Sequence, residues 1–170
     1  IREKVDILDK NALGFHKSGM WSKVIDIDKC YLQTNISNKI RNYTKRKALE
    51  LNLEFFDLKN QNGDIRNLMI RTTTTNEIMV LIQFYKYSKK AENLLELIKN
   101  EFDQITSIMY VINSKPNDTI YDLEILCFSG KNYITEKIGE LLFEISAKSF
   151  FQTNSYQIKK LYINTLQANI

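Results

Sequence analysis

Ser149-Phe150-Phe151-Gln152-Thr153-Asn154-Ser155 is the stretch whose residue types could best do chemistry. Two aromatics stand beside an amide, just ahead of a helix start. An aromatic ring can stack on a nucleic-acid base, and a glutamine amide can both donate and accept at a base edge. Asn154 and Gln157 form a capping-box-like pair, and the helix start they mark offers free N–H donors. The alternative is structural. Buried phenylalanine is the default, so Phe150 and Phe151 could be core with Gln152 exposed.

Other chemistries lack their parts. The 5 glycines never occur as G-x-G, so no Rossmann-type cofactor loop is present. There is no Walker loop and no zinc-type Cys/His spacing. The single histidine, His16, cannot make a cluster, and no Ser-His-Asp set stands out. His16 reads as an exposed strand residue or a phosphate neighbour. The residues describe a binding or positioning domain rather than a catalyst.

Composition fits that reading. The chain has 170 residues, 44% of them hydrophobic, which suffices for one compact core. Apolar runs such as Ile78–Ile82 are far too short to cross a bilayer, and Ile1-Arg2-Glu3-Lys4 resembles no signal peptide. No membrane partner is expected. The chain opens on Ile1 rather than Met, which suggests a piece of a longer protein. A net charge of +4 is compatible with a polyanion partner without specifying one. The 2 cysteines, Cys30 and Cys127, form no disulfide framework, and a reducing cytoplasm is the simplest setting.

The elements that must position these residues follow from periodicity. Leu13–His16 and Lys23–Ile27 read as a hairpin. Ser37 is the expected N-cap of a first helix, with Ile40, Tyr43, Ala48 and Leu51 as its apolar stripe. Lys39, Arg41, Lys45 and Arg46 fall off the stripe, which predicts a basic exposed side. Asn62-Gly63-Asp64 is a turn. Strands over Asn67–Thr73 and Glu77–Tyr85 follow, the second apolar on both faces and hence central. Ser88 caps a second helix that buries Leu94, Leu95, Ile98 and Phe102. Further strands are expected over Ser107–Asn113, Tyr121–Phe128, Tyr133–Lys137 and Leu141–Ser146, with Cys127 in the core. A third helix after Asn154 carries Ile158, Leu161, Tyr162 and Leu166 on one face. That face needs a neighbour to pack on. The fold class is α+β: a mostly antiparallel sheet with two helices packed on it, plus this C-terminal helix.

Several segments, in order, resemble one family. Ser149 to Asn154 is similar to the S-F-x-Q-x-N motif of the S-adenosylmethionine-dependent RNA uracil-C5 methyltransferases. Leu13 to Lys17 resembles that family's glycine–phenylalanine–lysine hairpin, and Val24 to Cys30 its V-x-D-I-x-x-C segment. Arg66 to Arg71 resembles its L-R-x-L-x-x-R strand, and Asn113 with Asn117 its spaced asparagine pair. The colinearity is more specific than any one motif.

The resemblance implies a central RNA-handling domain over residues 1–148 and the start of a methyltransferase domain over 149–170. It implies a parent enzyme in which a cysteine thiolate attacks C6 of a flipped-out uridine and C5 accepts the methyl group. That cysteine, the base and the cofactor loop would lie beyond this chain, so the fragment alone is expected to be inactive. Gln152 would face the pocket for cofactor and target base, and Phe150 the rearranged RNA. Arg66 and Arg71 flank an apolar strand; they are either ordinary surface residues or contacts to RNA phosphates, like Lys39 and Arg41. Cys30 matches the last of four cysteines that hold a [4Fe–4S] cluster in many members, the others coming from an upstream C-x5-C-x2-C segment absent here. It could equally be a plain buried thiol, since one thiolate cannot hold such a cluster. The implied partner is structured rRNA or tRNA. The reading weighed against all this is a free-standing α/β binding module of unrelated function.

Overall fold

The computed structural model describes residues 11–152 together with Asn154 and Gln157. The chain order is β1 (Gly14–Lys17), β2 (Met20–Asp26), α1 (Asn35–Glu50), β3 (Ile65–Thr72), β4 (Ile78–Phe84), α2 (Lys89–Glu101), β5 (Ser107–Ile112), β6 (Ile125–Gly130), β7 (Tyr133–Ile138) and β8 (Leu141–Ser146). The α+β class read from the sequence is the class observed.

The central sheet has the order β3-β4-β5-β6. Its β3/β4 and β5/β6 pairs are antiparallel, while β4 and β5 run parallel. The parallel pair is a departure from the hairpin pattern expected. Helix α2 links the ends of β4 and β5, and a helical crossover returns the chain to the side it left, so the next strand runs the same way.

Strand β4 is buried at every position, because both of its faces are covered. Val80, Ile82 and Phe84 pack with Ile40 of α1 and with Leu94, Leu95 and Ile98 of α2. Met79 and Leu81 point the other way and pack with Met109, Val111, Ile134, Ile145 and Ala147. The β7–β8 hairpin thus covers the sheet face opposite the helices. Each fully buried Leu, Ile or Phe side chain is worth about 1.5–3 kcal/mol relative to exposure.

Helix α2 starts where expected: the Ser88 hydroxyl accepts from the Ala91 N–H at 3.2 Å. Helix α1 starts earlier than Ser37. Thr34 is the N-cap, its Oγ1 accepting from the Ser37 N–H at 3.3 Å, and the two hydroxyls lie 2.8 Å apart. Two capping residues three apart compete, and the earlier one draws Ile36 onto the core. At the other end Asn52 takes φ 52°, and the Leu53 N–H reaches the Ala48 carbonyl at 2.9 Å. That left-handed stop satisfies carbonyls the helix would leave open.

Two expectations for β6 need correction. The strand begins at Ile125, and Tyr121 lies in the preceding turn with its side chain out. Cys127, expected in the core, is exposed. Strand β6 is the outer strand of its sheet, and alternation alone does not bury a residue there. The third helix expected after Asn154 lies outside the described residues except at Gln157, whose N–H donates to the Asn154 carbonyl at 3.1 Å.

Two carboxylates fasten the hairpin to the β3–β4 turn. Glu136 is fully buried and accepts from the Thr74 hydroxyl and from the Thr74 N–H at 3.1 Å. Glu77 accepts from the Thr135 N–H at 2.6 Å and faces Lys131 at 3.3 Å. Burial raises the Glu77 carboxyl, but the Thr135 N–H and Lys131 outweigh it and hold the group below the usual carboxylate range.

Candidate RNA-facing seam

The segment after β8 is built as a tight serine turn. The Ser149 N–H donates to the Ser146 carbonyl at 3.2 Å, and the Ser146 N–H to the Ser149 hydroxyl at 3.1 Å. Arg71, on β3, closes over this turn. Its Nη1 donates to the Ser146 carbonyl at 3.2 Å and the Ser149 carbonyl at 2.8 Å. Burial holds the Arg71 guanidinium below its ordinary value, with Tyr121 working in the opposite direction.

With the turn fixed, the two phenylalanines separate. Phe151 is half-buried, packs on the second core and lies 6.4 Å from the Phe143 ring. Phe150 is 84% exposed. One ring anchors and the other is presented, an arrangement intermediate between the two sequence readings. Gln152 follows, half-buried, and its side chain makes no hydrogen bond with any described residue.

The expected basic residues divide into two groups. Lys39 is exposed on α1, without an ion pair among the described residues. Arg41 is not exposed as expected but buried at 5%. It donates to the Gln33 Oε1 at 2.7 Å, the Asn38 Oδ1 at 2.8 Å and the Asp28 carbonyl at 3.1 Å, tying the β2–α1 loop to the helix. Arg66 is likewise internal: its side chain is fully covered. It donates to the Asn113 carbonyl at 3.0 Å, the Lys115 carbonyl at 2.5 Å and the Asp118 carboxylate at 2.8 Å, and lies 4.1 Å over the Phe56 ring. In this conformation neither arginine offers its donors to a phosphate. Arg71 acts on the seam from beneath. Of the basic residues marked in the sequence, Lys39 is the one standing free.

Cys30 is half-buried, and its peptide is clasped by the Asn38 amide: Cys30 N–H to Oδ1 at 2.7 Å and Nδ2 to the Cys30 carbonyl at 3.0 Å. Among the described residues no group of three or more His, Cys, Asp or Glu could hold a metal ion. The side chains present do not fit a [4Fe–4S] cluster, which needs four thiolates. His16 is exposed on β1. Sequence reasoning missed Asn38, a buried amide that organises both Cys30 and Arg41. Its spacing of three from Arg41 on one helix was the available signal.

No protein-family model matches the chain. An uncharacterized RNA methyltransferase of Porphyromonas gingivalis is 48% identical over 154 residues, covering 89% of this chain and 33% of the relative. One from Bacteroides thetaiotaomicron is 43% identical over 167 residues, covering 95% and 37%. Among solved structures, a tRNA (uracil-54, C5)-methyltransferase of Pyrococcus abyssi, in complex with S-adenosyl-L-homocysteine, superposes with a TM-score of 0.73. It is 26% identical, over 93% of this chain and 38% of that one. Over about nine-tenths of its own length the chain is thus similar to RNA methyltransferases, and in structure to a tRNA (uracil-54, C5)-methyltransferase. It spans about a third of the length of the curated relatives it matches. Residues 149–152 follow a turn held by Arg71, with the Phe150 ring and the Gln152 amide left uncommitted by the described fold.

Proposed function

We propose that the chain is the RNA-binding central domain of a cytoplasmic, S-adenosylmethionine-dependent RNA (uracil-5-)-methyltransferase acting on rRNA or tRNA, with residues 1–148 forming that domain and 149–170 beginning the methyltransferase domain. The observation that carries the proposal is the split at the seam: Phe150 stands out at 84% exposure while Phe151 anchors the segment. An exposed ring on a hydrogen-bonded turn offers a stacking surface for an unpaired base, and stacking is how proteins hold bases drawn out of an RNA fold. The structural likeness to a tRNA (uracil-54, C5)-methyltransferase supports the same reading.

S-adenosylmethionine, when bound, supplies the methyl group. The roles assigned to this chain are different. Phe150 stacks on RNA beside the target, and Gln152 hydrogen-bonds at the pocket where base and cofactor meet. Arg71 keeps both in place through the Ser146 and Ser149 carbonyls. Lys39 and its exposed neighbour Arg46 contribute charge toward phosphates. Arg66 and Arg41 support the surface without touching RNA.

The domain alone is expected to bind structured RNA weakly and to transfer no methyl label from S-adenosylmethionine. Its affinity should fall steeply with salt, because each phosphate contact releases counterions. Filter binding between about 50 and 200 mM salt reads this directly. An affinity flat across that range, or absent at low salt, contradicts the reading, as does label transfer by the domain alone.

A further inference from the structure

A cleft of about 360 Å³ opens at the β3 edge of the sheet. Met69 and Leu81 form part of its lining, with Asn67, Gln83, Gln33 and Asp118 around them. Asn67 and Gln83 are direct cross-strand partners, as are Met69 and Leu81 one step along. Residues two apart on a strand share a face, so two amides stand side by side next to an apolar floor.

The polar groups here are not satisfied by the fold. Gln83 is 97% buried (3% exposed), and its Nε2 is covered with no hydrogen-bond partner. Native structures rarely leave a buried amide in that state; such a group is met by ordered water or by a ligand. The Gln33 Oε1 is taken by Arg41 at 2.7 Å, which leaves its amide N–H groups without a partner among the described residues. Arg66 takes Oδ1 of Asp118, leaving the second carboxylate oxygen unused. The cleft therefore holds donors and acceptors together. It has no lysine or arginine in its lining, so it does not suit a phosphate.

We propose that this cleft takes an unpaired RNA nucleobase, lying flat against Met69 and Leu81 with its edge hydrogen-bonded by Gln83 and Asn67. A base is flat, uncharged and apolar on its faces, with donors and acceptors confined to its rim. It matches an apolar floor bordered by amides. The inference rests on the RNA-binding reading above and deepens it, adding a second base site separate from the Phe150–Gln152 seam.

The test uses the full-length protein and RNA carrying 4-thiouridine in unpaired positions. Irradiation should crosslink RNA to the peptides holding Asn67–Met69 or Leu81–Gln83, and Gln83→Leu should abolish that crosslink. Gln83→Leu should weaken RNA binding about tenfold, the factor for one good hydrogen bond. It should leave S-adenosylmethionine affinity and melting temperature unchanged, because a leucine replaces an unsatisfied buried amide with an apolar group of similar size. Asn67→Ala, at an exposed position, gives the same readout without touching the core. If the wild-type protein binds RNA and both variants bind it equally well, the second base site is wrong and the RNA-binding reading stands. Weakened S-adenosylmethionine binding in place of RNA binding would reassign the cleft to the cofactor and overturn the proposal. Failure of the wild-type protein to bind RNA overturns both.

Discussion

Arg66→Ala is expected to lower the stability of the domain by about 3–5 kcal/mol, because two largely covered carbonyls left without a donor cost about 1–3 kcal/mol each and a void opens beside them. The side chain is fully covered, and its removal uncovers a void beside the Phe56 ring. The Asn113 and Lys115 carbonyls would each lose a charged donor, and the Asp118 carboxylate its counter-charge. Asp118 is itself partly exposed, so water can recover some of its loss, and the covered carbonyls carry most of the effect. For a chain of this size the melting temperature should fall by roughly 6–20 °C. Arg66→Lys should recover little. An ammonium cannot fork across several acceptors or lie flat on a ring. A fall of less than about 2 °C, measured by thermal melting of the folded protein, would mean that Arg66 is the surface residue its charge suggests.

Gln152→Ala in the full-length enzyme should do the opposite: methylation slows while folding is untouched. The Gln152 side chain makes no hydrogen bond with the described fold, so its removal breaks nothing there. A lost hydrogen bond to a base or cofactor costs on the order of 1–3 kcal/mol, which is roughly a ten- to hundredfold loss of rate. Rate and melting temperature must be measured on the same preparation. A normal rate removes Gln152 from the site. A large drop in melting temperature would show instead that the amide holds the turn before the helix.

These two residues show what local sequence can and cannot say. The segment after β8 stood out in the sequence because its parts are adjacent: two aromatics and an amide within a few residues. Strand β8 and the Ser88 cap were legible for the same reason, and β4 because apolar residues on both faces require cover on both sides. Arg66 was not legible. Its acceptors lie about fifty residues downstream, in the loop after β5, and no pattern around Arg66 announces them. Arg41 misled in the same way. Helical phase placed it off the apolar stripe, but the loop ahead of α1 folds back over it and supplies carbonyl and amide acceptors. Charge in a sequence marks a need for partners, and only the fold shows whether those partners are water, phosphate or the protein's own backbone. The parallel β4/β5 pair was hidden for a related reason: strand direction follows from the path of α2, not from the strands themselves.

Product analysis of the full-length protein tests the central claim most directly. Unmodified rRNA and tRNA are incubated with the protein and methyl-labelled S-adenosylmethionine, then digested to nucleosides and separated. The label is predicted to appear in 5-methyluridine. Label in any other nucleoside, or on a uridine atom other than C5, would contradict the account, as would RNA that stays unlabelled.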